Sequence, residues 1–329
     1  MAPGVPDRTT LAVFAAVVVI GGLNVVAVRF SNAELAPFWG AGLRFVAAGA
    51  LLFAIVFARR IRLPRGRALV GVVLYGTLGF AVSYALAYWG LVEAPAGAAV
   101  VAISLVPLIT LILAPIHGLE RFRAQALVGA LVSVVGIGIV FADQLSAEVA
   151  PLSLVALLLA AVAISESTIV VKSFPRADPA ATNAVAMAVG AGLLLALSVA
   201  LGEPLAAPTE PTTVVAVGYL VVVGSVLLFM GFLYVLARWT ASAVSYGLVL
   251  MPLVAVPAAA LLRGEPVTAA FLGGGVLVLG GVWFGALAPP IALPGLRAPA
   301  APQPGSAAVP AIASAEAPGQ PSFVPPNCP

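Results

Sequence analysis

Two ionisable side chains interrupt apolar runs of the sequence at depths where charge is expensive. Arg44 stands seven residues past Pro37, and Glu166 stands six residues before Lys172. At a helical rise of about 1.5 Å per residue, these groups lie roughly 10 Å and 9 Å inside their runs. Ionisable groups placed so usually face a cavity or a partner. The planar, permanently charged guanidinium of Arg44 suits bidentate pairing, which makes it a candidate anchor for a substrate carboxylate. A clamp on backbone carbonyls or on Glu34 is the structural alternative. Low dielectric favours the neutral form of a carboxyl, so Glu166 is a candidate for carrying coupling protons or for balancing an amine. The alternative is a neutral acid bonded to Ser165 or Ser167. In a hydrocarbon core about 30 Å thick, Arg44 and Glu166 fall on opposite sides of the midplane and are not expected to form a close pair.

Other groups add to this inventory. Phe80, Tyr84 and Tyr88 recur every four positions and line one helix face, either as a wall that stacks on a ligand or as packing. Asn24 can donate to a substrate or to another helix. Pro107 and Pro252 each remove a backbone hydrogen bond in mid-span, as a hinge or a static kink. Gly129 and Gly136, and likewise Gly274 and Gly281, are two helical turns apart and present small surfaces for close helix packing. His117 is the sole histidine and Cys328 the sole cysteine, so neither a two-histidine metal motif nor a disulfide framework can form. Neither a Gly-x-Ser-x-Gly elbow nor a phosphate-binding Gly-rich Lys loop is present. No cofactor is expected.

The elements that must position these groups follow from composition. Hydrophobic residues make up 62% of the 329 positions and charged residues 8%; a soluble domain has about 45–50% and about 25%. The chain is counted better in membrane spans of roughly 20 apolar residues. Ten fit: Thr10 to Val28, Ala36 to Ala58, Ala68 to Gly90, Ala96 to Ile116 and Ala124 to Ala142, then Pro151 to Val171, Pro179 to Leu201, Thr212 to Leu236, Ala241 to Leu262 and Val267 to Ala288. The N-terminal segment 1–9 precedes them, and the Pro/Ala-rich segment 289–329 is expected to be disordered. With both termini cytoplasmic, the inner segments hold most of the Lys and Arg, including Arg59, Arg60, Arg62, Arg65 and Arg67, while outer loops keep Arg29 and Arg263. The basic residues thus report membrane orientation, and no nucleic acid is implied. Alanine, valine and arginine dominate over isoleucine and lysine, which points to a high-GC genome and a bacterium, and the expected location is the cell (inner) membrane.

The chain also repeats itself. At an offset of 145 residues Gly79 meets Gly224, Pro107 meets Pro252, Glu120 meets Glu265, Gly129 meets Gly274 and Gly136 meets Gly281. Earlier in each half the offset is 143, pairing Asn24 with Ser167 and Arg29 with Lys172. A unit of five spans ends on the side opposite to its start, so residues 10–142 and 150–288 read as two inverted five-helix repeats of an all-α integral membrane protein. Inverted repeats are an architecture of transporters, with the site between them near the midplane.

"GGLNVVAVRF" with Asn24 and Arg29, "LRF" at Leu43 to Phe45, "SYALAYWGL" in the third span, the Pro107 span leading to Glu120, and Gly264 to Pro266 in the second half carry a specific likeness. In their order and spacing the chain resembles an EamA-type member of the drug/metabolite transporter superfamily from about Leu11 to Leu287. It departs where span one has Gly21 in place of a frequent tryptophan, and where Leu119-Glu120 replaces Gly-Glu. The resemblance implies a secondary transporter that exports a small metabolite, an amino acid or a drug-like molecule. The bilayer and a small-molecule substrate are its expected partners, protons are a candidate coupling ion, and a homodimer stays open. A membrane-embedded enzyme using Glu166 and Arg44, or a receptor or scaffold that transports nothing, are the competing classes.

Overall fold

The structure, a computed structural model, describes residues 6–91, 94, 96–142, 150–263 and 267–289. The expectation for the C-terminal tail, the joint around Asp143, and Gly264 to Pro266 with Glu265 therefore lie outside the described residues.

The described residues form helices and connecting loops. In chain order these are α1 (Arg8–Ser31), α2 (Pro37–Ala58), α3 (Arg67–Gly90), α4 (Gly97–Ile116), α5 (Ala124–Val140), α6 (Pro151–Ser173), α7 (Pro179–Ala200), α8 (Pro211–Arg238), α9 (Ala241–Leu262) and α10 (Ala269–Leu287). Nine of these, among the described residues, are long and apolar enough to cross a membrane, and α5 is the shorter apolar one. Apolar side chains that lack a protein neighbour, such as Val215 and Val276, stay exposed along their outer faces. Such a surface belongs in lipid, where every backbone group must be satisfied inside its own segment.

Local sequence explains where the helices start. Proline occupies the first turn of α2, α6, α7 and α8, where its missing N–H costs nothing. Asp178 caps α7 by accepting from the Ala180 N–H at 2.8 Å, and Thr268 caps α10 by accepting from the Phe271 N–H at 3.2 Å. After α4 the chain turns through Gly118 at φ +70°, a left-handed conformation that glycine adopts without strain.

Helices pair across the chain. α2 packs along α7, α5 along α10, α1 against α8 and α9, and α6 against α3 and α4. The core between α2, α3, α7 and α8 buries Phe45, Phe80, Met187 and Leu194 completely. The α5 and α10 pair approaches most closely through its small residues. A Cβ on Gly129 would lie 2.5 Å from the Gly281 carbonyl oxygen, and one on Gly136 would lie 2.7 Å from that of Gly274. Ser133 fills the space between them, its hydroxyl donating to the Gly129 carbonyl at 2.9 Å.

Three helices change winding. α3 contains a π-helical stretch at Thr77–Val82, α8 one at Val222–Leu227, and α10 one at Trp283–Leu287. The first two begin 145 residues apart. The two proline positions behave differently. α4 is interrupted after Ile103 and resumes at Val106, with Pro107 in its new first turn. α9 runs through both Pro252 and Pro257 without a break. The Val106 carbonyl accepts from the Ser165 hydroxyl of α6 at 3.3 Å.

Candidate functional site

The π-helical stretches of α3 and α8 place a glycine against the first helix of the opposite half. Single π turns inside α-helices are frequent at functional sites, because the altered winding displaces side chains and backbone groups. Asn24 of α1 donates its side-chain N–H to the Gly224 carbonyl at 2.8 Å, while its own Oδ1 is buried without a partner. A Cβ on Gly224 would collide with that carboxamide. Ser167 of α6 stands over Gly79 in the same manner, and a Cβ there would lie 3.1 Å from the serine oxygen. The Ser167 hydroxyl donates to the Ile164 carbonyl at 2.8 Å. The Ser225 hydroxyl, next to Gly224, is buried and unpartnered.

Beside these contacts lies a buried cation. Arg44 on α2 is 3% exposed. One terminal guanidinium nitrogen donates to the Tyr84 hydroxyl at 3.1 Å, and the guanidinium carbon sits 4.6 Å from the Phe45 ring centroid and 5.6 Å from that of Tyr84. Aromatic faces stabilise a cation through their quadrupole but do not neutralise it. The Arg44 Nε has no hydrogen-bond partner, and no carboxylate among the described residues forms an ion pair with the group. Glu34, the clamp considered from sequence, is spent elsewhere: it accepts from the Thr209 N–H at 2.7 Å, from the Thr209 hydroxyl and from the Glu210 N–H.

The aromatic column of α3 faces α2. Phe80 meets Phe45 edge-on at 5.0 Å and Phe229 at 4.6 Å, Tyr84 meets Phe45 at 5.2 Å, and Tyr88 meets Phe38 at 5.8 Å. Phe80 is fully buried, whereas Tyr84 and Tyr88 are partly open. Tyr75, one turn earlier, presents a further buried hydroxyl with no partner. Arg44, Tyr84 and the column therefore form one cluster.

Glu166 belongs to a different place. Its Oε1 lies 3.0 Å from the Nε2 of His117, the residue that ends α4, and both side chains are partly exposed. Ser165 and Ser167, the neighbours considered from sequence, bond backbone carbonyls instead. The histidine partner was not foreseen, and its only sequence signal is that His117 closes the fourth span just as Glu166 nears the end of the sixth.

Acidic side chains tie the helix ends together. Glu34, in the loop after α1, caps the start of α8; Glu203, in the loop after α7, accepts from the Phe38 and Trp39 N–H groups at 3.2 and 2.8 Å and so caps α2. At other ends Glu120, after α4, accepts from the Ala241 N–H and the Ser242 hydroxyl at the start of α9, and Lys172 donates to the Trp239 carbonyl.

Long apolar helices, changed winding at glycines and buried polar groups between them define a multi-pass helical membrane protein built around an internal polar cluster. The model of the EamA-like transporter family matches residues 8–142 and 151–286, and the chain belongs to that family. Membership places it among transporters rather than enzymes. It is 28% identical over 253 residues to the uncharacterized inner membrane transporter YedA of Escherichia coli (strain K12), covering 76% of this chain and 81% of that one. It is 29% identical over 286 residues to an uncharacterized transporter of Archaeoglobus fulgidus, covering 83% and 96%. A solved crystal structure superposes with a TM-score of 0.74 at 19% identity, over 85% of this chain and 97% of that one, a likeness of fold.

Proposed function

We propose that the protein is a secondary transporter of a small carboxylate-bearing molecule, an amino acid or a related metabolite, which it exports by alternating access. The observation that carries this reading is Arg44, a buried cation held by aromatic rings and a hydroxyl, with no carboxylate of its own among the described residues. Burying an unpaired charge is costly. A substrate carboxylate arriving at Arg44 supplies the missing counter-charge, and Tyr84 and Tyr88 offer surfaces for the rest of the molecule.

In this reading the bundle consists of ten spans in two inverted five-helix halves, residues 10–142 and 150–288, with both termini cytoplasmic. The 17 residues of α5 extend about 26 Å at 1.5 Å per residue, enough to cross a core of about 30 Å with its flanks. Support for inversion comes from the ends that meet. The end of α6 and the start of α9 share a side through Glu120, Lys172 and the Trp239 backbone. Phe14, near the start of α1, packs on Trp239 at 5.4 Å, so α1 starts where α6 finishes. The exchanged contacts of Asn24 with Gly224 and of Ser167 with Gly79 are those a two-fold relation between halves produces. Rocking of one half against the other would open the Arg44 cluster to alternate sides.

The test is uptake or counterflow of labelled amino acids and other small carboxylates into liposomes containing only this protein. Carboxylates should be carried and their methyl esters should not, and Arg44→Gln should abolish the difference. Transport of esters and acids alike would remove Arg44 from the binding site, and absence of flux for any metabolite would favour a scaffold.

A further inference from the structure

The His117 ring is held on both nitrogens, and what it is held by fixes its protons. Nδ1 lies 3.0 Å from the Leu113 carbonyl oxygen. A carbonyl has no hydrogen to give, so Nδ1 must carry one. The neutral ring with its hydrogen on Nδ1 presents a bare lone pair at Nε2. That lone pair would face Glu166 Oε1 across 3.0 Å. An ionised carboxylate is also acceptor-only, so the contact is attractive only when one further proton lies between Nε2 and Oε1.

We propose that His117 and Glu166 together form a binding site for a single proton, which fastens the end of α4 to α6 while occupied and releases it when empty. The balance is simple. On release, the proton passes to water from the Nε2–H···Oε1 bond, leaving a neutral imidazole and a carboxylate that repel. Both side chains are partly exposed, His117 at 36% and Glu166 at 27%, and His117 stands where the chain leaves α4, so the proton has a path. What the site fastens is a helix already divided at Ser104 and Leu105, whose lower segment, Val106–Ile116, carries His117 at its end. That segment has its own tie to α6 through Ser165 and the Val106 carbonyl.

Among the described residues, the surrounding elements add no competing partner. α6 packs against α3, α4 and α9. Their described titratable groups are Lys172 on α6 itself, Arg67, Tyr75, Tyr84 and Tyr88 on α3, and Tyr246 on α9, while α4 has none before His117. α5, which also touches α4, has none, and in the loop between them Arg121 and Arg123 follow Glu120, whose carboxylate is taken by the start of α9. Among the described residues, none of these groups forms a hydrogen bond or ion pair with either member of the pair. The inference rests on the transporter reading only for its purpose; the proton site itself is measurable without flux.

Because the 329-residue chain has one histidine, 15N-histidine labelling of the full-length protein in nanodiscs gives one ring to follow by NMR across pH. Nδ1 should remain protonated throughout and Nε2 should bind its proton in the wild type. Glu166→Gln places an amide N–H opposite Nε2 and supplies the hydrogen without a proton. Nε2 should then stay bare over the range in which the wild type is protonated. Spin labels at the ends of α4 and α6 should separate when the wild type loses the proton and stay close at every pH in Glu166→Gln. His117→Gln, whose amide can donate to the carboxylate, should also stay close, which guards against a fold defect in one variant. Identical Nε2 behaviour in wild type and Glu166→Gln, or a spin-label distance indifferent to pH in the wild type, would overturn the proposal. Either result would leave carboxylate flux in liposomes, the test of the transporter reading, untouched.

Discussion

Asn24 and Gly224 lie 200 residues apart and are joined by a 2.8 Å hydrogen bond from the carboxamide to a carbonyl within a π-helical turn. The glycine is required there because any Cβ would occupy the space of the carboxamide. Gly224→Ala should therefore displace Asn24 and lower stability by about 1–3 kcal/mol. Thermal unfolding in detergent checks this, and Asn24→Ala should relieve part of the loss in the double variant, since the collision needs both partners.

The Arg44 cluster makes a second expectation. Tyr84→Phe keeps the ring under the guanidinium and removes the hydroxyl to which it donates among the described residues. Hydrogen bonds to charged groups contribute about 1.5–3 kcal/mol, so carboxylate flux should fall roughly tenfold or more while insertion is unchanged. Liposome flux at fixed protein content measures it.

At the α5 and α10 contact, Gly136→Leu has no room, because the Gly274 carbonyl and Val278 stand where the side chain must go. Overpacking of this kind costs about 1–3 kcal/mol or more. A lowered melting temperature is expected, whereas Gly138→Leu, whose Cβ meets nothing within 4 Å, should be tolerated.

The Glu34 carboxyl is held below the usual carboxylate range, first by the Thr209 hydroxyl and then by the Thr209 N–H. A carboxyl depressed in the folded state contributes stability above its unfolded pKa and loses that contribution as pH falls through the folded one. Hydrogen exchange at the Thr209 and Glu210 amides, taken relative to that of an unprotected amide at the same pH, should thus be slow and flat near neutrality and accelerate only in acid below the ordinary carboxylate range. In Glu34→Gln it should be fast at neutral pH already.

Topology is open to direct measurement. Reporters fused after Arg62 and after Arg297 should both read cytoplasmic, and one near Asp143 external. A cytoplasmic Asp143 reporter would end the inverted arrangement.

The helices were legible because each apolar run is near the length of a bilayer crossing, and that length is a property of sequence alone. Their ends moved by a few residues, as at α1, which extends from Arg8 to Ser31, since caps such as Asp7 lie beyond the apolar run. The winding of Thr77–Val82 and Val222–Leu227 could not be read, because an i to i+5 pattern depends on which helix presses on Gly79 and Gly224. Spacing also drew attention to Arg44, Tyr84 and Glu166 one at a time. Their partners come from other helices: Arg44 reaches Tyr84 from α2 to α3, and Glu166 reaches a histidine that, being the sole one in the sequence, completes no two-histidine metal motif. Likewise Glu120 marked only a repeat until its carboxylate met the start of α9, 121 residues further on.

The reciprocal caps, Glu203 on α2 and Glu34 on α8, bear on how the chain is made. When the first half leaves the ribosome, the opening N–H groups of α2 have no acid to receive them, and Asn24 has no carbonyl to bond. Both are supplied by residues synthesised more than 150 positions later. A nascent first half is therefore an unfinished object with polar groups waiting in the bilayer, the kind of intermediate that insertion chaperones shelter. Two fragments divided near Asp143 and expressed together should find each other, because each carries the carboxylate that completes the other's helix.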